Sequence, residues 1–259
     1  MNAATETLSS NLAIRGAFIE ATFRAFSDWE LNAAPKENFE HIQQTNAIGA
    51  SSESWLKQFI KVLKIRYDLQ GPDRRLIELV QTGWHIEDWR PVQLWHISRK
   101  DELLREFLAS WAFDRREQGI VVLTVDSVDD FLHALVKERL GSVDSWKENT
   151  YRRVASGLLK TATEFNLLRG HHNKEFEAYR LPERSMMYLL HALMERENNT
   201  RKVVEAEDWR LFLMKTNEVE EELLRLHQYG KLRFERAGSF LELTLPCENT
   251  DEYVRSVTL

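Results

Sequence analysis

The chain has 259 residues, of which 43% are hydrophobic and 29% are charged, with only 10 glycines and 5 prolines. This composition is typical of a folded, mostly helical protein and argues against long disordered regions. The formal net charge of −6 excludes a global electrostatic preference for nucleic acid, so any surface that binds a polyanion has to be local.

The sequence also excludes several classes of protein. Cys247 is the only cysteine, so neither an intrachain disulfide nor a thiolate metal cluster is expected, which suits a reducing cytosol. The first residues lack the basic and apolar regions of a signal peptide. The longest apolar run, about Ile120 to Val125, is too short to cross a bilayer, so we expect a cytoplasmic protein and no membrane partner.

The N-terminal part of the chain predicts three helices. Apolar residues between Leu12 and Phe26 predict a first helix that is buried on more than one side. A proline favours the start of a second helix, Pro35 to about Ala47, and Ser52 is expected to cap a third helix, Glu53–Tyr67. The second and third helices, joined by a turn that contains a glycine, are interpreted as a helix-turn-helix at about 37–67.

The third helix carries a basic stripe opposite its apolar face. A stripe of three lysines is more often a solvated surface than a DNA contact, and both interpretations stay open for this helix taken alone. As the second helix of a helix-turn-helix it would face the major groove, where lysines neutralise phosphates and short polar side chains reach base edges. The candidate DNA ligands of this helix are Ser54, Lys57, Gln58, Lys61 and Lys64.

The middle of the chain predicts helices around one strand. We expect a short helix at Asp73–Thr82, and a long central helix at Val92–Glu117 that starts after a proline. Ile120–Val125 is the best isolated strand. Ser127 is then expected to cap a helix that ends at Leu140.

The segment Ser145–Lys174 predicts the recognition helix and wing of a winged helix-turn-helix. Asn149 or Thr150 can act as the N-cap, and Asn166 suits the left-handed end of the helix. A turn then leads into an extended segment, which predicts a hairpin. Apolar residues on one helical face oppose a basic face. The candidate DNA ligands of this unit are Lys147, Asn149, Thr150, Arg152, Arg153, Ser156, Lys160, Arg169, His171, His172 and Lys174.

The C-terminal part predicts helices followed by a second hairpin. Helices are expected at 185–195 and 209–214, and Asn217 is expected to cap a helix that ends near Tyr229. Residues 231–245 alternate apolar and polar about a glycine turn, as in a hairpin. Because that last helix begins with several glutamates, which repel phosphates, we interpret this part as a partner surface or scaffold.

Signatures of catalysis are absent from the sequence. It contains no phosphate-binding glycine loop, no nucleophile elbow and no H-E-x-x-H motif. Adjacent side chains in an extended turn point in opposite directions, so His171 and His172 are a poor metal site. Asp126, Asp129 and Asp130 lie in the first turn of a helix, where capping and the helix dipole explain them. We therefore expect no catalytic residue, no cofactor and no metal.

Several segments resemble the BrxA family of BREX bacteriophage-exclusion systems. They are Gly16–Ala21, Asn46–Ser52 leading into a basic helix that ends at Ile65–Tyr67, Trp146–Ala155, and Asn166–Leu168. The resemblance spans roughly residues 12 to 245 and rests on apolar and capping positions. It implies a helical cytoplasmic protein with two helix-turn-helix units that binds double-stranded DNA without catalytic activity, beside methyltransferase and ATPase components. The acidic helix from Glu218 and the hairpin to Leu245 depart from the family pattern.

These observations together predict the fold and function. We expect a mainly α, compact helical protein with two helix-turn-helix or winged-helix units and short β-hairpins. The predicted domains are 1–100 with the first helix-turn-helix, 101–182 with the winged unit at about 128–180, and an acidic 183–259. The predicted function is non-catalytic binding of double-stranded DNA in phage defence, and the alternative is a protein–protein adaptor in which both units are structural.

Overall fold

The computed structural model describes residues 13, 15–140, 146–238 and 240–257, and these are mainly helical with two small antiparallel sheets. This confirms the predicted fold class. The chain divides into two compact units. The first unit holds the described residues up to Ala17, with Ser98–Arg180 and Glu207–Leu213, and the second holds Phe18–Ile97, Leu181–Ala206 and the described residues from Met214 onward. The three predicted domains stay a prediction.

The second unit begins with five helices. They are α1 (Ile19–Ser27), α2 (Pro35–Thr45), α3 (Glu53–Arg66), α4 (Arg74–Gln81) and α5 (Ile86–Ser98). The predicted cap of α3 is confirmed, because the Ser52 hydroxyl accepts a hydrogen bond from the backbone N–H of Trp55 at 3.2 Å. The connection between α2 and α3 runs from residue 46 to residue 52 and is longer than the predicted turn. The helix-turn-helix assignment of this pair stays a prediction.

The first predicted helix was wrong in its extent. The backbone is not helical from Gly16 to Phe18, where both Gly16 (φ 89°) and Phe18 (φ 56°) take left-handed conformations, and α1 starts only at Ile19. Apolar spacing alone does not reveal this break, because the Phe18 side chain still packs against other apolar residues. Its ring packs edge-on against Trp55 at 5.6 Å and Phe59 at 5.7 Å between centroids.

The predicted central helix was also wrong. Helix α5 starts at Ile86 and contains Pro91 instead of starting after it. The helix ends at Ser98, and Asp101 then caps a new helix by accepting the N–H of Leu104 at 2.9 Å. Pro91 is the sixth residue of this helix and lies past its first turn, where it removes one backbone hydrogen bond without ending the helix, so it did not mark the helix start as predicted.

The described remainder of the second unit contains six elements, of which two helices, Thr200–Val204 and Thr250–Ser256, were not predicted. Its elements are α10 (Glu183–Glu197), α11 (Thr200–Val204), α12 (Thr216–Gln228), β4 (Arg233–Ala237), β5 (Phe240–Thr244) and α13 (Thr250–Ser256), numbered after the elements of the first unit given below. The predicted hairpin is confirmed, with Phe234 opposite Leu243. The predicted cap at Asn217 was wrong, because α12 starts at Thr216 with Lys215 as its N-cap, and Glu218 accepts the backbone N–H of Lys215 at 2.7 Å.

A chain of buried hydrogen bonds lies in the core of the second unit. The Nδ1 atom of His96 lies 2.6 Å from Oδ1 of Asp73, and its Nε2 atom lies 2.8 Å from the Tyr188 hydroxyl. The other Asp73 oxygen accepts the backbone N–H of Asp68 at 2.7 Å. Asp73 precedes α4, His96 lies on α5 and Tyr188 on α10. These hydrogen bonds therefore connect three helices that are distant in sequence.

The first unit is built around a small sheet and two long helices. It contains α6 (Glu102–Arg105), a π-helical segment (Glu106–Ala112), α7 (Phe113–Glu117), β1 (Val122–Leu123), α8 (Val125–Leu140), α9 (Glu148–Glu164), β2 (Leu168–Arg169), β3 (Lys174–Phe176) and a 3₁₀ helix (Glu207–Phe212). Strand β3 lies between β1 and β2 and pairs antiparallel with both. The hairpin predicted after helix α9 is therefore confirmed as β2 and β3, and the predicted strand at Ile120–Val125 is present in its central residues.

Two predicted caps in the first unit were wrong. Thr124, and not Ser127, starts α8, because the Thr124 hydroxyl accepts the N–H of Ser127 at 3.2 Å and the Ser127 hydroxyl accepts the N–H of Thr124 at 3.1 Å. This reciprocal pair is a capping box. Its N-cap residue is Thr124, three positions before the predicted cap. The N-cap of α9 is Lys147, with no side-chain hydrogen bond, so Asn149 and Thr150 lie inside the first turn. Residues 141–145 lie outside the described residues, and they include Gly141, which follows the predicted helix end at Leu140, and Ser145, where the predicted winged segment starts.

Candidate nucleic-acid interface

Helix α9 separates an apolar face from a basic face, as its sequence pattern predicts. The apolar residues Tyr151, Val154 and Leu158 are at most 1% exposed. The helix ends at a left-handed Asn166 with φ 60°, which confirms the predicted helix end. On the opposite face the side chains of Arg152 and Lys160 are 57% and 70% exposed. The structure thus presents these cations to solvent.

Five of the predicted DNA ligands line one groove of about 620 Å³ on this face. Gly157 and Ala13 complete the lining. Lys147 and Thr150 belong to the same part of α9 but do not line the groove. The predicted ligands that do are Asn149, Arg152, Arg153, Ser156 and Lys160. The groove therefore combines cationic side chains with two short polar side chains, the residue types that contact phosphates and base edges.

Carboxylates hold two of the three groove cations. Arg152 pairs with Asp126 at 2.9 Å, and Lys160 lies 3.6 Å from Glu164. Arg153 forms no ion pair with any described residue and is exposed. Exposed ion pairs contribute at most about 1 kcal/mol, so Arg152 and Lys160 can exchange their carboxylates for a phosphate at small cost.

The β2–β3 hairpin carries the remaining predicted ligands of this unit. Arg169 lies 3.2 Å from Glu175, and the Lys174 ammonium donates to the carbonyl of Gly170 at 2.6 Å. Gly170 takes φ 97°, and a Cβ there would lie 2.4 Å from a backbone oxygen, so the turn requires glycine. Lys174 is half-buried, and its ammonium stabilises the turn.

The prediction that the two adjacent histidines point in opposite directions was wrong. The rings of His171 and His172 meet edge to face, with centroids 4.6 Å apart, and both residues are exposed. The left-handed Gly170 turns the chain so that it is not extended here. The alternation of side chains holds only for extended strands.

The basic stripe on α3 lies in the other unit. Its predicted ligands, Ser54, Lys57, Gln58, Lys61 and Lys64, are all exposed. Lys57 lies 2.6 Å from Glu53, and this hydrogen bond holds the pKa of the Glu53 carboxyl below its ordinary value. The Lys64 ammonium lies 4.8 Å from the centre of the Phe39 ring. Only Lys61 lacks a charged or aromatic partner among the described residues.

Gly157 lets the N-terminal segment cross α9 at close range. A Cβ atom at this position would lie 1.9 Å from the carbonyl oxygen of Ala13, a distance that requires the backbone to move. Nearby, the Glu164 carboxylate accepts the backbone N–H of Ala17 at 3.1 Å. These contacts place Ala13 in the wall of the groove. No role was predicted for Gly157, and the sequence pattern of α9 gave no sign of this crossing.

Replacing Gly157 by alanine is expected to destabilise the protein. Alanine favours a helix over glycine by about 1 kcal/mol, but the clash with Ala13 costs about 1–3 kcal/mol, so we expect a net loss in the free energy of unfolding. Urea denaturation measures it. Ser156→Ala is the control, because it changes the exposed neighbouring position without a clash and should be neutral or stabilising. A Gly157→Ala protein as stable as that control would contradict the close crossing.

A cluster of Asp129, His133 and Glu148 lies where α8 and α9 meet. One ligand atom from each side chain lies within 4.8 Å of the others. The His133 ring stacks on Tyr151, with centroids 3.8 Å apart and planes 16° apart. Burial raises the pKa of the Asp129 carboxyl, and the nearby His133 opposes this increase. This cluster was not predicted, although the four-residue spacing of Asp129 and His133 on a helix was a signal.

The buried chain of Asp73, His96 and Tyr188 has the order of groups found in hydrolytic active sites, but its surroundings differ. The side chains of His96 and Asp73 are 1% and 2% exposed, and Tyr188 is fully buried. A substrate could not reach the Tyr188 hydroxyl. These three hydrogen-bonded side chains therefore stabilise the packing of the core and do not form an active site.

Comparison with known proteins identifies the family. Within the described residues, each helix is too short or too polar to cross a membrane. Neither the curated proteins nor the solved structures contain a match to this chain. A family model described as BrxA matches residues 9–193, which is most of the chain. The match covers both basic helices and the hairpin between β2 and β3. The chain therefore belongs to the BrxA family and is a component of a BREX phage-defence system.

Proposed function

We propose that this protein binds double-stranded DNA through α9 and the β2–β3 hairpin, without catalytic activity of its own. The observation that carries the proposal is the groove on α9, where Arg152, Arg153 and Lys160 stand beside Asn149 and Ser156. In a chain of net charge −6, such a local concentration of cations is what a polyanion requires.

The topology of the first unit supports the proposal. A strand, two helices and a hairpin follow one another from β1 to β3, and the sheet order is β1-β3-β2. This is the arrangement of winged-helix domains, in which the second of the two helices enters the major groove and the hairpin contacts the flanking backbone. Helix α9 holds the position of the second helix.

The side chains divide into two roles under this proposal. Arg152, Arg153 and Lys160 neutralise phosphates along the groove, which supplies affinity without reading sequence. Asn149 and Ser156 line the same groove and offer hydrogen bonds to base edges. Lys147, Arg169, His171, His172 and Lys174 contact the backbone on either side. Because most of these groups contact phosphate, we expect weak sequence specificity.

Helix α3 is a weaker candidate for the same task. Its lysines are exposed, but Lys57 is held by Glu53 and Lys64 lies over the Phe39 ring. The stripe contains no arginine, the residue that binds phosphate with two parallel hydrogen bonds. We propose that α3 adds electrostatic attraction to the DNA, and that α9 provides the principal contacts.

The salt dependence of binding tests the proposal. Fluorescence anisotropy with a labelled duplex of random sequence is expected to detect binding at about 50 mM salt. The logarithm of the affinity should fall linearly with the logarithm of salt concentration, with a slope of about −3.6 to −5.4, since roughly four to six phosphates would be neutralised. Absence of duplex binding at about 50 mM salt would reject the proposal. A single-stranded oligonucleotide of the same sequence is the control, and stronger binding to it would reject the winged-helix mode.

A protein–protein adaptor is the second candidate, and the C-terminal module favours it. Leu224, Tyr229 and Phe240 are 42%, 66% and 57% exposed, so this module presents three large apolar side chains to solvent. They lie in the acidic part of the chain that starts at Glu218. The partners would be other BREX components, such as a methyltransferase or an ATPase. Replacing these three residues by serine would reduce a protein interaction and leave DNA affinity unchanged.

A further inference from the structure

We propose that Asn149 reads adenine in the major groove of the bound duplex. The assignment rests on the proposed function and adds to it the base that the groove on α9 recognises. Asn149 lines that groove and is the second residue of α9. When the second helix of a helix-turn-helix unit docks on DNA, its N-terminal residues contact the base edges. In this docking mode, Asn149 therefore holds a position that contacts bases.

The side-chain amide of Asn149 is available to a ligand. Asn149 is exposed, and its side chain forms no hydrogen bond with any described residue. It does not cap the helix either, because the N-cap of α9 is Lys147. Asparagine stabilises helices mainly as an N-cap and is a poor helix former at inner positions. The stability of α9 thus gives no reason for an asparagine at this position.

The charged side chains around Asn149 favour a polyanion beside the amide. Glu148 is the acidic residue of the first turn, and its carboxylate lies 3.5 Å from Nε2 of His133 on α8 instead of lining the groove. Arg152 and Arg153 follow Asn149 by about one helical turn and line the groove with it. Because these arginines contact phosphates in the proposed mode, they hold the duplex against the end of the helix that carries the amide.

Adenine is the base whose major-groove edge matches an amide. An asparagine side chain offers a carbonyl acceptor and an NH₂ donor side by side. Adenine presents its N7 acceptor beside its N6 amino donor, so the amide and the base form two parallel hydrogen bonds. Guanine presents only acceptors, cytosine only a donor, and thymine an acceptor beside a methyl group, so none of them satisfies both sides of the amide.

A single base contact agrees with the weak sequence specificity expected of this groove. Ser156, the other short polar residue of the groove, has a hydroxyl that accepts or donates, so it does not distinguish one base from another. Phosphate contacts supply most of the affinity, so the protein binds duplex DNA of any sequence and binds more tightly where an adenine faces Asn149. One bidentate base contact changes the affinity by roughly fivefold to a hundredfold.

A duplex in which carbon replaces N7 of adenine tests the contact. A short duplex of alternating adenine and thymine is prepared with ordinary adenine or with 7-deazaadenine, which keeps the base pairing and removes the acceptor. Fluorescence anisotropy at about 0.1 M salt measures the affinity of the full-length chain for both duplexes. We expect 7-deazaadenine to weaken binding at least about fivefold. Equal affinity for the two duplexes would overturn the proposal and leave the proposed function standing, and if neither duplex is bound, both fail.

Two variants assign the contact to a residue. Asn149→Ala should keep the helical circular dichroism spectrum, because alanine is the better helix former, and it should bind both duplexes with the same affinity. Ser156→Ala removes the other short polar side chain of the groove and should keep the difference in affinity between the duplexes. A difference that persists in Asn149→Ala, or one that disappears in Ser156→Ala, would overturn the proposal.

Discussion

Reversing Arg152, Arg153 and Lys160 together to glutamate is expected to weaken duplex DNA binding about a hundredfold or more at about 0.1 M salt. Each lost phosphate contact removes the counterion release that stabilises the complex, and the new carboxylates repel the backbone. The slope of log affinity against log salt should fall in magnitude by about 3, since roughly one contact per residue is lost. Fluorescence anisotropy over a salt series measures both quantities.

A matched control variant distinguishes the effect of local contacts on DNA affinity from the effect of net charge. Arg201, Lys202 and Arg255 are exposed and lie in the other unit, and reversing them changes the net charge by the same amount. We expect only a small loss of affinity in this variant. Equal losses in the two triple variants would mean that overall charge, and not the α9 groove, governs binding.

Reversing Lys57, Lys61 and Lys64 gives a second comparison. We expect a weaker effect than in the α9 variant, because neighbouring side chains already engage Lys57 and Lys64. Exposed substitutions rarely change the free energy of unfolding by more than about 0.5 kcal/mol, so both variants should remain folded. If the α3 variant loses more affinity than the α9 variant, the assignment of the principal contacts to α9 is wrong.

Most helices were predictable because their information is local. Helix α9, for example, combines an apolar stripe at intervals of three and four with a left-handed Asn166 at its end, and both features depend only on neighbouring residues. The errors arose where tertiary contacts, and not neighbouring residues, determined the backbone conformation. Phe18 leaves the helical conformation although its spacing suits a helix, and Pro91 lies within a helix that starts five residues earlier.

The candidate sites differ in the same way. The basic face of α9 follows from helical periodicity, so its residues could be named in advance. The groove also needs Ala13, which reaches α9 only through the fold. Likewise, Glu148 joins Asp129 and His133 because α8 and α9 pack together, and no spacing rule connects residues across that junction.

Replacing His96 by alanine is expected to cost about 3–5 kcal/mol in the free energy of unfolding. The substitution leaves a cavity and removes the partner of the Asp73 carboxylate, whose side chain is only 2% exposed. A buried charge that loses its partner is among the most destabilising changes in a protein core. Urea denaturation followed by tryptophan fluorescence is a suitable measurement, because Trp89 and Trp95 are buried in the same unit.

The order of the hydrogen bonds predicts a graded series. Nδ1 of His96 and the Asp73 carboxylate are 2.6 Å apart, and Nε2 of His96 and the Tyr188 hydroxyl are 2.8 Å apart. Tyr188→Phe removes only the second of these hydrogen bonds and should cost about 1–2 kcal/mol. His41→Ala is the control, because its ion pair with Asp28 is exposed and should contribute less than about 1 kcal/mol. A His96→Ala protein no less stable than Tyr188→Phe would mean that the carboxylate finds another partner and that the chain does not hold the three helices together.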